Sequence, residues 1–329
     1  MRDYPIGVFD SGVGGLTVVR EIMRQIPNEN IVYFGDTARV PYGSKSKDTI
    51  IKFSRQIVDF LLTKNVKAIV VACNTASALA LEELKKEMDI PIIGVVMPGA
   101  IAAADTTKNN RVGVIATEAT VNSNIYTQYL RDLNPNIQVY SKACPLFCPL
   151  VEENWLYDPI TIEIAERYLS ELIEYDVDTI VLGCTHYPLL RHTLRKVVGE
   201  KMNLVNPAYE TAITLKKVLE ENNLGRISKE NQHLFYVSDG AEKFKAFAKG
   251  YLSEMKDILT ADEIKLLPFS AKLLTFECGT RFLTDYLNGD TYFKIHREHH
   301  NLDRARNQFK LVRDIIGKEQ ELNKIIENI

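Results

Sequence analysis

No apolar stretch in this chain approaches the ~20 residues that a membrane-spanning helix needs, so a bilayer protein is not expected. Neither sign of charge dominates: 40 Lys and Arg stand against 43 Asp and Glu, for a net charge of −3. Such a balance offers no bulk attraction for a polyanion, and nucleic acid is not an expected partner. The opening residues "MRDYPIGVFDSG" lack a charged leader followed by an apolar core and run straight into a strand-like segment. A cytoplasmic location is the resulting expectation. Cysteines are few: Cys73, Cys144, Cys148, Cys184 and Cys278, odd in number and without a C-x-x-C pair. A disulfide scaffold is therefore disfavoured. Cys144 and Cys148, in "CPLFCP", have a spacing open to a metal pair. No histidine lies near them in sequence, and they read as small apolar residues in a proline-marked loop.

What is present is alternation. "PIGVFD" (5–10), "NIVYFGD" (30–36), "VKAIVVAC" (66–73), "IPIIGVV" (90–96), "RVGVIAT" (111–117), "IQVYSKA" (137–143), "VDTIVLGC" (177–184) and "MNLVN" (202–206) read as strands. Periodic helical stretches lie between them, among them 14–26, 46–65, 76–88 and 161–176. This order predicts βαβ units and parallel sheets. Strands so continuously apolar predict sheets covered on both faces. The expected fold class is α/β.

The chain also repeats itself. "IGVFDSGVGGLTV" precedes "KAIVVACNTAS", and "VGVIATEATVNSN" precedes "DTIVLGCTHYP". Asp10 stands 63 residues before Cys73, and Thr117 stands 67 before Cys184. Two similar lobes follow, each placing a cysteine at the C-terminal end of a strand, where open α/β sheets bind ligands. Facing lobes would bring both cysteines to one cleft.

A strand-to-helix turn predicts thiols that are partly thiolate. Cys184 with His186 offers a nucleophile and a base, which leaves Cys73 without a role. A matched pair uses both: one thiolate removes a proton from one face of a carbon and the opposite thiol returns one to the other face. The turn "FDSGVGGLT" puts Asp10 and Ser11 before glycines that open a helix, a place for an anionic group. Its Gly12, Gly14, Gly15 spacing is not the dinucleotide pattern. Tyr42, Gly43 and Ser44 form a polar turn, which also reads as an ordinary surface turn. Asn74–Thr75 and Thr185–His186 follow the two cysteines and could grip the charged groups of an amino acid.

Five motifs together, "GVFDSGVGGLTV", "YFGDTARVPYG", "VVACNTAS", "PLVEE" and "LGCTHYPLL", resemble glutamate racemases of the cofactor-independent aspartate/glutamate racemase superfamily. The resemblance covers residue 5 to about residue 252. The resemblance implies interconversion of L- and D-glutamate for peptidoglycan, with no pyridoxal phosphate and no metal. It implies two lobes with pseudo-twofold symmetry and an active site between them. The family's catalytic cysteines fall on Cys73 and Cys184, and its assisting groups on Asp10, Glu152 and His186. Substrate binding falls on Asp10, Ser11, Tyr42, Gly43, Asn74, Thr75, Thr117, Thr185 and His186. Asp36 also matches a position near the site. Cys148 and Asn206–Pro207 have no evident reading. The division expected is residues 1–98 with 207–254 as one lobe, 99–206 as the other, and 255–329 as a helical extension. Members of the family are often dimers, so a homodimer is the candidate assembly, with free glutamate as the only other partner.

The end of the chain is of another kind. "SAKLLTFECGTRFLTDYLNGDTYFKIHREHHNLDRARNQFKL" resembles the C-terminal end of sugar or aminoglycoside phosphotransferase-like kinases. Upstream there is neither a catalytic-loop aspartate nor a phosphate-cradling loop of that class. His296, His299 and His300 could bind a metal, although a solvated basic helix face is the simpler reading. Competing functions are racemisation of aspartate, amino-acid binding without turnover, and a phosphotransferase defined by the tail.

Overall fold

A computed structural model describes residues 2–227, 232–239, 244, 276, 280–291 and 295–317. Met1–Ala248 and Lys249–Ile329 form two compact units.

In the first unit all eight expected strands are present, each within two residues of the expected ends. They are β1 Ile6–Asp10, β2 Ile31–Gly35, β3 Ala68–Val71, β4 Ile92–Gly94, β5 Arg111–Ala116, β6 Gln138–Ala143, β7 Thr179–Gly183 and β8 Asn203–Val205. A ninth, β9 Leu234–Val237, escapes the pattern because none of its residues is fully buried. Every pairing is parallel. One sheet has the order β4-β3-β1-β2-β9 and the other β6-β5-β7-β8. Read backwards, the second becomes β8-β7-β5-β6, so β1 corresponds to β5, β3 to β7, and β9 is an addition at one edge. The sequence repeat is thus a repeat of topology. Cys73 follows β3 and Cys184 follows β7, its counterpart.

Burial fixes these strand ends. Ile6, Val8 and Phe9 of β1 and Ile69, Val70 and Val71 of β3 are all fully buried. Each such side chain contributes ~1.5–3 kcal/mol relative to exposure. A slip of one residue would exchange the side chains between the two faces and move Asp10 and Cys73 with them.

The helices between strands are α1 Leu16–Gln25, α2 Lys47–Leu62, α3 Asn74–Leu79, α4 Leu81–Glu87, α5 Val96–Thr106, α6 Glu118–Asn122, α7 Ile125–Leu133, α8 Phe147–Glu152, α9 Pro159–Glu174, α10 Arg191–Val198 and α11 Pro207–Glu221. The stretch expected as one helix over 76–88 begins two residues earlier and divides at Ala80 into α3 and α4. Asn206–Pro207 gains a reading: the Asn206 side chain accepts from the amide of Ala208 at 3.1 Å, and Pro207 takes the first helical position. That is a capped helix start. Helix α11 packs against both α1 and α5.

In the second unit α12, His300–Gly317, bears out the expected helical character. Buried Asn301 donates to Asp285 at 2.8 Å and to Asp290 at 2.9 Å. Among the described residues His296, His299 and His300 belong to no group of three converging metal ligands. Most of residues 250–312, and Cys278, lie outside the described residues.

Candidate active site

Cys73 and Cys184 both line one cleft of about 690 Å³, mouth included, within the size range of small-molecule sites. Ser11, Tyr42, Gly43, Asn74, Thr75, Thr117, Thr185 and His186 line it with them. Asp10 and Glu152 do not; they stand behind lining residues.

On the first side, Cys73 is the residue that caps α3. Its Sγ lies 3.7 Å from the Ser11 hydroxyl. Asp10, at the end of β1, is fully buried. Its carboxylate accepts from the amide of Gly12 at 3.0 Å and from the hydroxyl of Thr185 at 3.2 Å. The second of these bonds crosses from one lobe to the other. Desolvation raises the Asp10 carboxyl above its ordinary value, against the opposing pull of His186.

On the second side, Cys184 Sγ lies 3.5 Å from Cys148 Sγ and 3.8 Å from His186 Nδ1. His186 Nε2 lies 3.2 Å from Glu152 Oε1. The imidazole is therefore held between a thiol and a carboxylate. Burial works against its charged form, but Cys184, Glu152 and Asp10 outweigh it and lift the ring to about 10.

The thiols themselves correct the sequence reading. Partial ionisation at a helix start was the expectation, and burial reverses it. Desolvation, and then the Asp10 charge, push Cys73 up to about 12; the amide of Ala76 in the first turn of α3 opposes this without prevailing. Cys184 is raised well above its ordinary value, first by its hydrogen bond with Cys148 and then by desolvation. Both thiols are thus held towards their protonated form, and the ring towards its charged one.

The rim is polar and fixed. Thr75 Oγ1 lies 2.9 Å from Thr117 Oγ1 and 3.2 Å from Thr120 Oγ1, with Thr117 and Thr120 3.0 Å apart. The Asn74 side chain accepts from Tyr126 at 2.7 Å. Tyr42 donates to Asp36 at 2.5 Å, and Arg39 does so at 2.6 Å. Asp36 thus acts from below the rim by holding Tyr42. Gly43 is required for close approach: a β-carbon there would stand 2.6 Å from Thr117 Cβ.

Sequence reasoning missed Thr120 and Cys148. Thr120 carries a weak signal, three residues after the capping Thr117, whose Oγ1 accepts from its amide at 3.4 Å. Cys148 was read as a small apolar loop residue, whereas it stands on α8 and lines the cleft against Cys184. Its spacing from Glu152, four residues on one helix, was the available signal. Cys144 keeps a structural part: it is buried, and its carbonyl accepts from Tyr187 at 2.8 Å.

Residues 6–212 match the family described as Asp/Glu/Hydantoin racemase. A glutamate racemase of Geobacter metallireducens is 49% identical over 235 residues, covering 71% of this chain and 87% of the relative. One from Streptococcus uberis is 46% identical over 264 residues, covering 80% of this chain and 100% of the relative. Among solved structures, glutamate racemase from Francisella tularensis in complex with D-glutamate is 41% identical with a TM-score of 0.73, covering 77% of this chain and 95% of that one.

Proposed function

The chain belongs to the Asp/Glu/hydantoin racemase family, and from that premise we propose that it is a glutamate racemase, an isomerase that interconverts L- and D-glutamate by proton transfer between two cysteines. One observation carries the mechanism: two buried thiols, at equivalent strand ends of a repeated topology, line one cleft from its two lobes. Relatives bearing the glutamate racemase name at 46–49% identity support the substrate.

In this reading Cys73 takes the α-proton from D-glutamate and Cys184 takes it from L-glutamate, each with the other as donor. A thiol with a raised pKa gives a stronger base once ionised, which suits a barely acidic α-proton. The cost is scarcity: a thiol pushed up this far is only rarely ionised at pH 7. Charges inside the site offset that cost. The His186 imidazolium favours the Cys184 thiolate, and the α-ammonium of bound glutamate would favour either one. Asp10 assists on the Cys73 side, where Ser11 touches the thiol, and His186, backed by Glu152, assists on the Cys184 side. Thr75, Thr117, Asn74 and Thr185 hold the substrate's charged groups. The product D-glutamate serves peptidoglycan synthesis in the cytoplasm. A homodimer is the candidate assembly, to be decided by sedimentation.

Racemisation followed by circular dichroism, with no added cofactor, tests the reaction. Cys73→Ser and Cys184→Ser should each lose at least the 10²–10⁴-fold that a positioned acid or base supplies, roughly. In heavy water the wild-type protein should place deuterium on the product carbon. Near-normal racemisation by either serine variant would end the two-thiol mechanism, and a preference for aspartate over glutamate would replace the substrate.

A further inference from the structure

The proton transfer makes no use of Cys148, although its Sγ lies 3.5 Å from Cys184 Sγ. Among the described residues, Cys148, Cys184 and His186 are the one group of three or more candidate metal ligands, with ligand atoms all within 4.8 Å of one another. Their spacing can be compared with that of a metal centre. In tetrahedral zinc, bonds of ~2.3 Å to sulfur and ~2.05 Å to nitrogen set two sulfurs ~3.8 Å apart and a sulfur and a nitrogen ~3.6 Å apart. The separations found, 3.5 Å for Cys148–Cys184 and 3.8 Å for Cys184–His186 Nδ1, need shifts of only ~0.3 Å or less.

The surroundings of the ring add an independent observation. His186 Nε2 lies 3.2 Å from Glu152 Oε1. A carboxylate on the far nitrogen keeps a proton there, so it is Nδ1, facing the sulfurs, that can take the metal once its own proton leaves. Metal-ligating histidines are commonly oriented in this way. Helix α8 supplies both parts: Cys148 and Glu152 are four residues apart, on one face. The fourth position of a tetrahedron would open into the cleft, which all three ligands line. Two thiolates and an imidazole select soft or borderline cations over magnesium or calcium.

We propose that Cys148, Cys184 and His186 Nδ1 form a three-ligand site for a divalent cation of the zinc class, and that metal bound there suppresses racemisation. Binding releases both thiol protons and the Nδ1 proton of the imidazolium to solvent and forms two metal–sulfur bonds and one metal–nitrogen bond; no oxidant takes part. Suppression rests on the functional reading above, because it is Cys184 that the metal ties up. The binding itself does not depend on that reading.

The test uses the full chain, freed of metal by chelation and titrated with Co²⁺. One equivalent should give the thiolate-to-cobalt charge-transfer band with the visible bands of a tetrahedral site, and Zn²⁺ should displace it. Zn²⁺ should also inhibit racemisation, and Mg²⁺ should not. Cys148→Ser and Cys148→Val, both confirmed as folded by circular dichroism, should weaken cobalt binding. They should also weaken zinc inhibition, measured against each variant's own metal-free rate. The loss should exceed the ~10–100-fold typical of removing a mere outer-shell partner. The site is overturned if the wild-type chain shows no thiolate–cobalt band, or if band and inhibition persist in both Cys148 variants. Binding with the expected spectrum in a chain that racemises nothing would uphold the site and sink the functional reading alone.

Discussion

Gly12, Gly14 and Gly15 share one short turn, yet the room around them differs. A β-carbon on Gly14 would stand 2.5 Å from Thr185 Oγ1 and 2.6 Å from His186 Nδ1, whereas on Gly12 the nearest atom would be Val40 Cγ2 at 3.6 Å. Ordinary contact begins near 3.4 Å. Gly14→Ala must therefore push the Thr185 hydroxyl and the His186 ring, or its own backbone, by ~0.8–0.9 Å, and a misplacement of ~1 Å costs about 100-fold in rate. Overpacking of this kind also costs ~1–3 kcal/mol of stability. The expected results are a kcat/KM for glutamate lowered by about 100-fold in Gly14→Ala, and a Gly12→Ala variant within about twofold of wild type, as befits a change worth ~0.5 kcal/mol or less. Polarimetry or circular dichroism gives the rates, and urea unfolding gives the stabilities, so that misplacement is separated from unfolding. A Gly14→Ala variant as active as wild type, or a Gly12→Ala variant equally damaged, would refute the placement of this turn against His186.

Thr75→Ala removes a hydroxyl from the Thr75–Thr117–Thr120 cluster on the cleft wall; a bond lost to a charged ligand group costs ~1.5–3 kcal/mol, so KM for glutamate should rise about 10-fold or more, and unchanged saturation kinetics would remove Thr75 from the substrate site. Cys73 is a buried acid whose pKa is raised from 9.0 to about 12. The folded state therefore holds its proton where the unfolded chain releases it, and stability falls as pH rises from about 9 towards 12. Between pH 9 and 11 that slope is roughly 1.4 kcal/mol per pH unit; Cys73→Ser should flatten urea-unfolding stability against pH by about this amount, and an unchanged slope would contradict the burial argument. The Streptococcus uberis relative is matched along its whole length by 264 residues of this chain. A chain ending near residue 270 should fold and racemise within a few-fold of the full chain, and a soluble, folded but inactive product would show that the remaining residues serve the reaction.

Eight strands, their parallel pairing and the internal repeat were legible in the sequence. A strand buried on both faces needs an unbroken apolar run, and such a run is visible without any partner. Cys73 and Cys184 could be found for the same local reason, since each ends such a run, and most of the cleft's lining residues lie within two positions of them or in the motifs around Asp10 and Tyr42. β9 was not legible, because none of its residues is fully buried and its partner β2 lies at the other end of the unit in sequence. The protonation of the thiols was misread from local context: a helix start lowers a thiol's pKa, but desolvation is decided by everything packed around it, and burial prevails. Thr75 meets Thr117 and Thr120 across 42 and 45 residues of chain. Cys148 meets Cys184 across 36. Apolar periodicity therefore determined the architecture from sequence alone. The charge state of the site and the company of each thiol were decided only by tertiary structure, because both depend on distance through space.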